Sequence, residues 1–106
     1  MSDHADFYEK FKQSDLDNQQ VFRMWIETRM PYLNNLFDFE KMVYIPEMVD
    51  AYLGVASHGQ AIMARFALSV WTHNDDFEFN FIEAAQVLDT PQLNIIIDWL
   101  KKPIWP

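Results

Sequence analysis

The sequence contains no cysteine and only two glycines among its 106 residues. The lack of cysteine excludes disulfide bonds and thiolate metal ligands, and it is consistent with a reducing compartment, so we expect a cytoplasmic protein. Two glycines are too few for a glycine-rich phosphate loop, and GxSxG and HExxH motifs are also missing. These absences favour a protein without enzymatic activity, and they predict no cofactor.

Long hydrophobic runs and clusters of basic residues are missing as well. The most apolar stretch, 57–73, is interrupted by Arg65 and is too short to span a bilayer. The chain begins with MSDHADFYEK, which is polar and acidic, so no secretory signal is predicted. Nucleic acids and anionic membranes bind through clustered lysine and arginine, and we therefore expect direct binding to neither.

The negative charge is concentrated in one long segment. The net charge at pH 7 is −8, and the segment from Met42 to Leu100 carries −7 of it, with eight acidic residues and one base, Arg65. Such a surface is complementary to a basic protein. We therefore expect a protein partner, basic if charge guides binding. A homodimer formed through exposed aromatic residues is the alternative.

The composition indicates one small folded domain. Half of the residues are hydrophobic and 16% are aromatic, which is enough material for a packed core in a domain covering 1–106. Apolar residues recur mostly with helical spacing. The sequence therefore predicts an all-α bundle of five to six helices around a buried central helix at about 58–73. Irregular segments are predicted near 31–45 and 74–80.

The predicted central helix has apolar residues around roughly 200° of its circumference, an arc too wide for a surface helix. Ser57 and Gln60 are spaced as a capping box, in which each side chain satisfies a backbone N–H of the other residue. The opposite wedge is polar and carries a stripe formed by His58, Arg65, Ser69 and Thr72. We predict that the helix is surrounded by its neighbours along all but this stripe.

The other helices are bounded by prolines and capping residues. Pro31 ends one helix, Pro46 and Pro91 begin two others, and Pro103 stops the last. Helices are predicted over 2–13, 19–29, 47–56, 80–88 and 90–102. Because the apolar spacing runs on from 47 to 73, one long kinked helix is an alternative there. The residues predicted to face inward are Met48, Ala51, Tyr52 and Val55 in the helix over 47–56, and Phe81, Ile82, Ala85 and Leu88 in the helix over 80–88.

The polar stripe is the first candidate site. A buried Arg65 requires a compensating carboxylate, and the candidates in this sequence are Glu47, Asp50, Glu83 and Asp98. If a pocket opens onto the stripe, His58, Arg65, Ser69 and Thr72 could bind a small anion. The stripe could instead be the solvent face of the helix or an internal ion pair.

The second candidate site is the acidic stretch after the central helix, together with the C-terminal tail. Asp75, Asp76, Glu78 and Trp105 are the predicted partner-binding residues, because exposed acids and tryptophan suit a basic or apolar partner. The tail could serve as a docking peptide or fold back onto the domain.

No metal site is predicted. The acidic stretch lacks the glycine and the bidentate acid of an EF-hand loop. His58 and His73 would lie about 22 Å apart along one helix, so they cannot share an ion.

Three functions are compatible with these features. The favoured one is a small interaction or regulatory protein that binds a protein partner, which could be a second copy. The first alternative is an acidic decoy that occupies the nucleic-acid site of a basic protein. The second alternative is a small-anion binder or enzyme that uses His58 and Arg65.

Overall fold

The computed structural model describes residues 17–106, so the helix predicted over 2–13 lies outside the described residues. Within 17–106 the chain forms a small all-α domain, as predicted, with a minor two-stranded sheet. The first helix, α1, covers 17–29 of the described residues. It is followed by a 3₁₀ helix (Pro31–Leu36), β1 (Phe37–Asp38), β2 (Val43–Tyr44), α2 (Pro46–Val55), α3 (His58–Thr72), α4 (Phe81–Val87) and α5 (Thr90–Lys101).

The central helix α3 is buried as predicted. Seven of its fifteen residues are buried, including Met63, Phe66 and Leu68 at 2% exposure or less. It packs with apolar residues from every other helix in one continuous core, to which α1 contributes Phe22 and Ile26. α3 is buried because apolar residues cover more than half of its circumference, and such a helix needs neighbours on several sides.

Residues 31–45 contain more regular structure than the sequence suggests. The adjacent asparagines Asn34 and Asn35, which suggest a turn, lie inside the 3₁₀ helix. The alternating patch that follows forms an antiparallel pair with Phe37 opposite Tyr44. The Asp38 carboxylate closes the connecting turn by accepting the backbone N–H groups of residues 40 and 41, each at 3.1 Å. The segment therefore contains a 3₁₀ helix and a short hairpin, and the hairpin packs Phe37, Phe39 and Tyr44 in or against the core.

The segment over 47–73 is two helices, not one kinked helix. Ala56 and Ser57 both have extended backbone angles, and they separate α2 from α3. The Ser57 hydroxyl accepts the N–H of Gln60 at 3.2 Å, and the Gln60 side chain accepts the N–H of Ser57 at 3.0 Å. This reciprocal pair confirms the predicted capping box and satisfies backbone donors at the start of α3.

The faces predicted to point inward on the two shorter helices were largely wrong. In α2 the core contacts come from Val49, Tyr52 and Leu53, whereas Val55 is 86% exposed. In α4 the buried residue is Ala84, while Phe81 and Ile82 are 54% and 70% exposed. Leu88, directly after α4, is buried as predicted. Both helices are apolar on more than one side, so helical periodicity cannot select the side that faces the core.

Loss of the Ser57 cap is expected to destabilise the domain measurably. Replacing Ser57 with alanine removes the oxygen that accepts the N–H of Gln60, and we expect the free energy of unfolding to fall by about 1 kcal/mol. Ser69→Ala is the matched control, because the Ser69 hydroxyl bonds to the Arg65 carbonyl inside the same helix and alanine is the better helix former. Urea unfolding checks both variants, and equal losses would contradict a capping role.

Candidate functional site

A pocket of about 290 Å³ opens where the C-terminal half of α3 meets α4, α5 and the tail. We call it the aromatic pocket, because aromatic rings supply most of its wall. Its nine lining residues are Phe66, Ser69, Val70, His73, Asn74, Phe79, Phe81, Trp99 and Trp105. Its volume is at the small end of ligand pockets, which usually enclose about 300–1,000 Å³. It is therefore sized for one side chain or a small molecule.

The rings of the pocket pack at steep angles around Phe66. The Phe66 ring lies 5.5 Å from Trp99 at 89° and 5.1 Å from Phe79 at 52°. Phe79 in turn contacts Phe81 at 4.9 Å and 80°, and Trp99 contacts Trp105 at 5.1 Å and 79°. These separations and angles are typical of favourable aromatic pairs, in which the edge of one ring meets the face of another. The mutual contacts hold the rings in place around the pocket.

The C-terminal tail folds back and forms one side of the pocket. The indole N–H of Trp99 donates to the carbonyl of Ile104 at 3.2 Å. His73 Nε2 lies 3.1 Å from the oxygen of Pro106, and because that oxygen can only accept, Nε2 carries the hydrogen. Trp105 packs between these two anchors against Trp99 and His73, and it remains 49% exposed. The ring of Trp105 is thus both held in the pocket wall and accessible.

The acidic loop, residues 74–80, borders the same pocket. Asn74 and Phe79 line the pocket, and Asp75, Asp76 and Glu78 between them are exposed. Two hydrogen bonds shape the loop. The backbone N–H of Glu78 donates to the Asp75 carbonyl at 2.8 Å, and the backbone N–H of Asp76 donates to the side-chain Oδ1 of Asn74 at 3.0 Å. Within 17–106, none of the three carboxylates has a hydrogen bond or ion pair. The negative charge of the three carboxylates therefore lies beside the opening of the aromatic pocket and is not neutralised by another described residue.

The four stripe residues are not gathered around one pocket. Ser69 lines the aromatic pocket, while His58 lies at the other end of α3 and pairs with Glu83 at 3.4 Å. Ser69 and Thr72 donate their hydroxyl hydrogens to carbonyls one turn earlier in α3, at 2.8 Å each. From His58 to Thr72 the helix rises about 21 Å, which is too far for one small ligand to span. An anion site at this stripe stays a prediction.

Arg65 does not use the carboxylate partners proposed from the sequence. Its guanidinium donates to the Phe77 carbonyl at 2.8 Å, which ties the acidic loop to α3. Among the proposed acids, Glu83 pairs with His58 and Asp98 accepts from Arg29 at 3.1 Å. The side chain is only partly buried, so a carbonyl and solvent suffice where a fully buried cation would need a carboxylate.

Two tyrosines, Tyr32 in the 3₁₀ helix and Tyr52 in α2, have raised pKa values. Burial, with contributions from Tyr52 and Asp89, raises the pKa of Tyr32 to about 12, and burial also raises the pKa of Tyr52. Both phenols therefore keep their protons at neutral pH. No group of three potential metal ligands occurs within residues 17–106.

No helix within the described range is both long and apolar enough to cross a membrane. No family model, no curated protein and no solved structure matches this chain. What the site binds is therefore inferred from its own residues.

Sequence reasoning located only part of this site. It selected Asp75, Asp76, Glu78 and Trp105, and the structure places all four at or beside the aromatic pocket. It predicted that Phe81 faces the core, and it did not connect Phe79 or Phe81 with Trp99. The available signal was the alternation of acids with phenylalanines over 75–79, which puts charge and rings side by side.

Proposed function

We propose that this protein binds a basic protein partner through the acidic loop and the aromatic pocket beside it. The observation that carries the proposal is the juxtaposition of a ring-lined pocket with three exposed carboxylates that have no partner among residues 17–106. The lack of cysteine supports a reducing compartment such as the cytoplasm as the place of action.

The charge of the surrounding segment supports a basic partner. Residues 66–100 contain six acidic residues and neither lysine nor arginine. Complementary charge steers a partner toward its site and disfavours partners of the same sign. A pocket with accessible tryptophan and phenylalanine rings then supplies the apolar anchor point that protein interfaces commonly use. The loop and the pocket are thus suited to successive roles in one binding event.

The polar stripe supports binding of a small anion less well. The guanidinium of Arg65 already donates to the Phe77 carbonyl, and the hydroxyl hydrogens of Ser69 and Thr72 are bonded within α3. An anion at the two hydroxyls would have to displace their bonds within α3, and Arg65 has already committed one of its N–H groups to the Phe77 carbonyl. The exposed carboxylates of the acidic loop add negative charge that repels an anion and attracts a cation.

Neutralising the acidic loop is expected to weaken binding of a short lysine-rich peptide. Exposed ion pairs contribute about 0.2–1 kcal/mol each, so the triple variant Asp75→Asn, Asp76→Asn, Glu78→Gln should bind about tenfold more weakly at low ionic strength. Because salt screens exposed charges, the difference should shrink as ionic strength rises. Isothermal titration calorimetry measures both effects.

The matched control removes three exposed carboxylates elsewhere, with the substitutions Glu40→Gln, Glu47→Gln and Asp50→Asn. Both triple variants change the net charge from −8 to −5, so they lose the same charge at different places. We expect the control to retain nearly the affinity of the unmodified protein. Equal losses in the two variants would show a general charge effect, and either that result or no binding at all would refute the proposal.

A further inference from the structure

We propose that the aromatic pocket binds the ammonium group of a lysine side chain from the partner, and binds its N-methylated form more tightly. This inference rests on the proposed function, because it names the group that enters the pocket of the same site. The pocket wall contains two tryptophans and three phenylalanines and no lysine or arginine. The face of an aromatic ring is negative, and tryptophan attracts cations most strongly of the three ring types.

The arrangement of the rings suits a compact cation. Phe66 and Trp99 are nearly perpendicular, as are Phe79 and Phe81 and also Trp99 and Trp105. Rings at such angles surround a small volume from several directions, which favours a roughly spherical charged group over a flat one. The volume of about 290 Å³ leaves room for one side-chain end. N-methylation would add apolar contact with the rings while keeping the charge.

Hydrogen bonds inside the domain limit what the polar groups of the wall can offer a ligand. The Ser69 hydroxyl gives its hydrogen to the Arg65 carbonyl, so its oxygen can only accept from a ligand. His73 donates from Nε2 to the Pro106 oxygen, so this nitrogen is not available to a ligand. Asn74, at the rim, offers an amide donor because its Oδ1 already accepts the backbone N–H of Asp76. Together with the neighbouring carboxylates, this wall is better suited to a cation than to an anion.

The test compares three lysine-rich peptides that differ at one central position, which holds lysine, N-trimethyllysine or norleucine. Norleucine keeps the apolar stem of lysine and removes the charge. The protein variant is Phe81→Leu, which preserves most of the apolar volume at a 54% exposed position and removes the aromatic face. We expect it to weaken binding of the trimethyllysine peptide about fivefold and to leave the norleucine peptide nearly unchanged.

Ile82→Ala is the matched control, because Ile82 is the adjacent residue, is 70% exposed and does not line the pocket. It should change none of the three affinities. Trp105→Leu provides a second pocket variant if Phe81→Leu does not fold, and the same preferential loss is expected. Fluorescence of the pocket tryptophans should change on binding of the trimethyllysine peptide.

The outcomes separate this inference from the function on which it rests. If the peptides bind and depend on the acidic loop, but the pocket variants affect all three equally or not at all, the ammonium site is refuted and the proposed function stands. A preference for norleucine over lysine would identify an apolar anchor site and would also refute the inference. If no peptide binds, both proposals fail.

Discussion

Replacing Phe66 with alanine is expected to lower the free energy of unfolding by about 3–5 kcal/mol. The Phe66 side chain is 2% exposed and contacts the rings of Trp25, Phe79 and Trp99. Truncation removes its buried apolar area and leaves a cavity that these large rings cannot easily fill. Domains of this size usually have a total stability of about 5–15 kcal/mol, so the variant should be close to unfolding.

Urea denaturation followed by circular dichroism measures this loss. Phe81→Ala is the control, since Phe81 also lines the pocket but is 54% exposed, and its loss should be much smaller. The comparison distinguishes Phe66, whose ring stabilises the core, from Phe81, whose ring lies largely at the surface. Similar losses for the two variants would show that Phe66 does not occupy the centre of the core.

Replacing Arg65 with alanine is expected to lower the free energy of unfolding by about 2 kcal/mol. Its charged hydrogen bond to the Phe77 carbonyl, at 2.8 Å, connects α3 to the acidic loop across twelve residues. Removing the donor also removes the packing of the long side-chain stem against its apolar neighbours. The loop amides over 74–80 should then exchange with deuterium faster than those of α5.

Arg23→Ala is a suitable control for the Arg65 variant. Arg23 is exposed and pairs with Glu27 one turn away, a type of contact that contributes only about 0.3–0.5 kcal/mol. If Arg65→Ala were no more destabilising than Arg23→Ala, or if exchange in the loop did not change, the link between α3 and the loop would be without energetic importance. Binding of the lysine-rich peptide should also weaken, because the carboxylates would no longer be held beside the pocket.

Helix boundaries are the feature that the sequence predicted best. The Ser57 capping box is present, and Asn80 caps α4 through the N–H of Glu83 at 2.9 Å. The last helix begins at Thr90 as predicted, although the capping side chain is that of Asp89, one residue earlier. These signals are readable because a cap and the N–H that it accepts are only three residues apart.

Which apolar residues are buried was much harder to predict on the short helices. Val55 and Ile82 were expected in the core and are largely exposed, whereas Ala84 is buried in α4. A helix of two or three turns with apolar residues on several sides can dock in more than one orientation. Its neighbours, which are distant in sequence, decide which side is covered, and the pattern of one segment contains no information about them.

The sequence by itself determined the all-α class, the ends of most helices, the burial of α3 and the location of excess negative charge. All four depend on residues close together in the chain or on composition alone. The tertiary structure alone decided that Phe66, Phe79, Trp99 and Trp105 meet around one pocket, and that Arg65 bonds to a loop carbonyl. Those contacts join residues as far apart in sequence as Phe66 and Trp99, which are separated by 33 positions. Helix docking and the return of the tail bring such residues together, and no local spacing in the sequence encodes this.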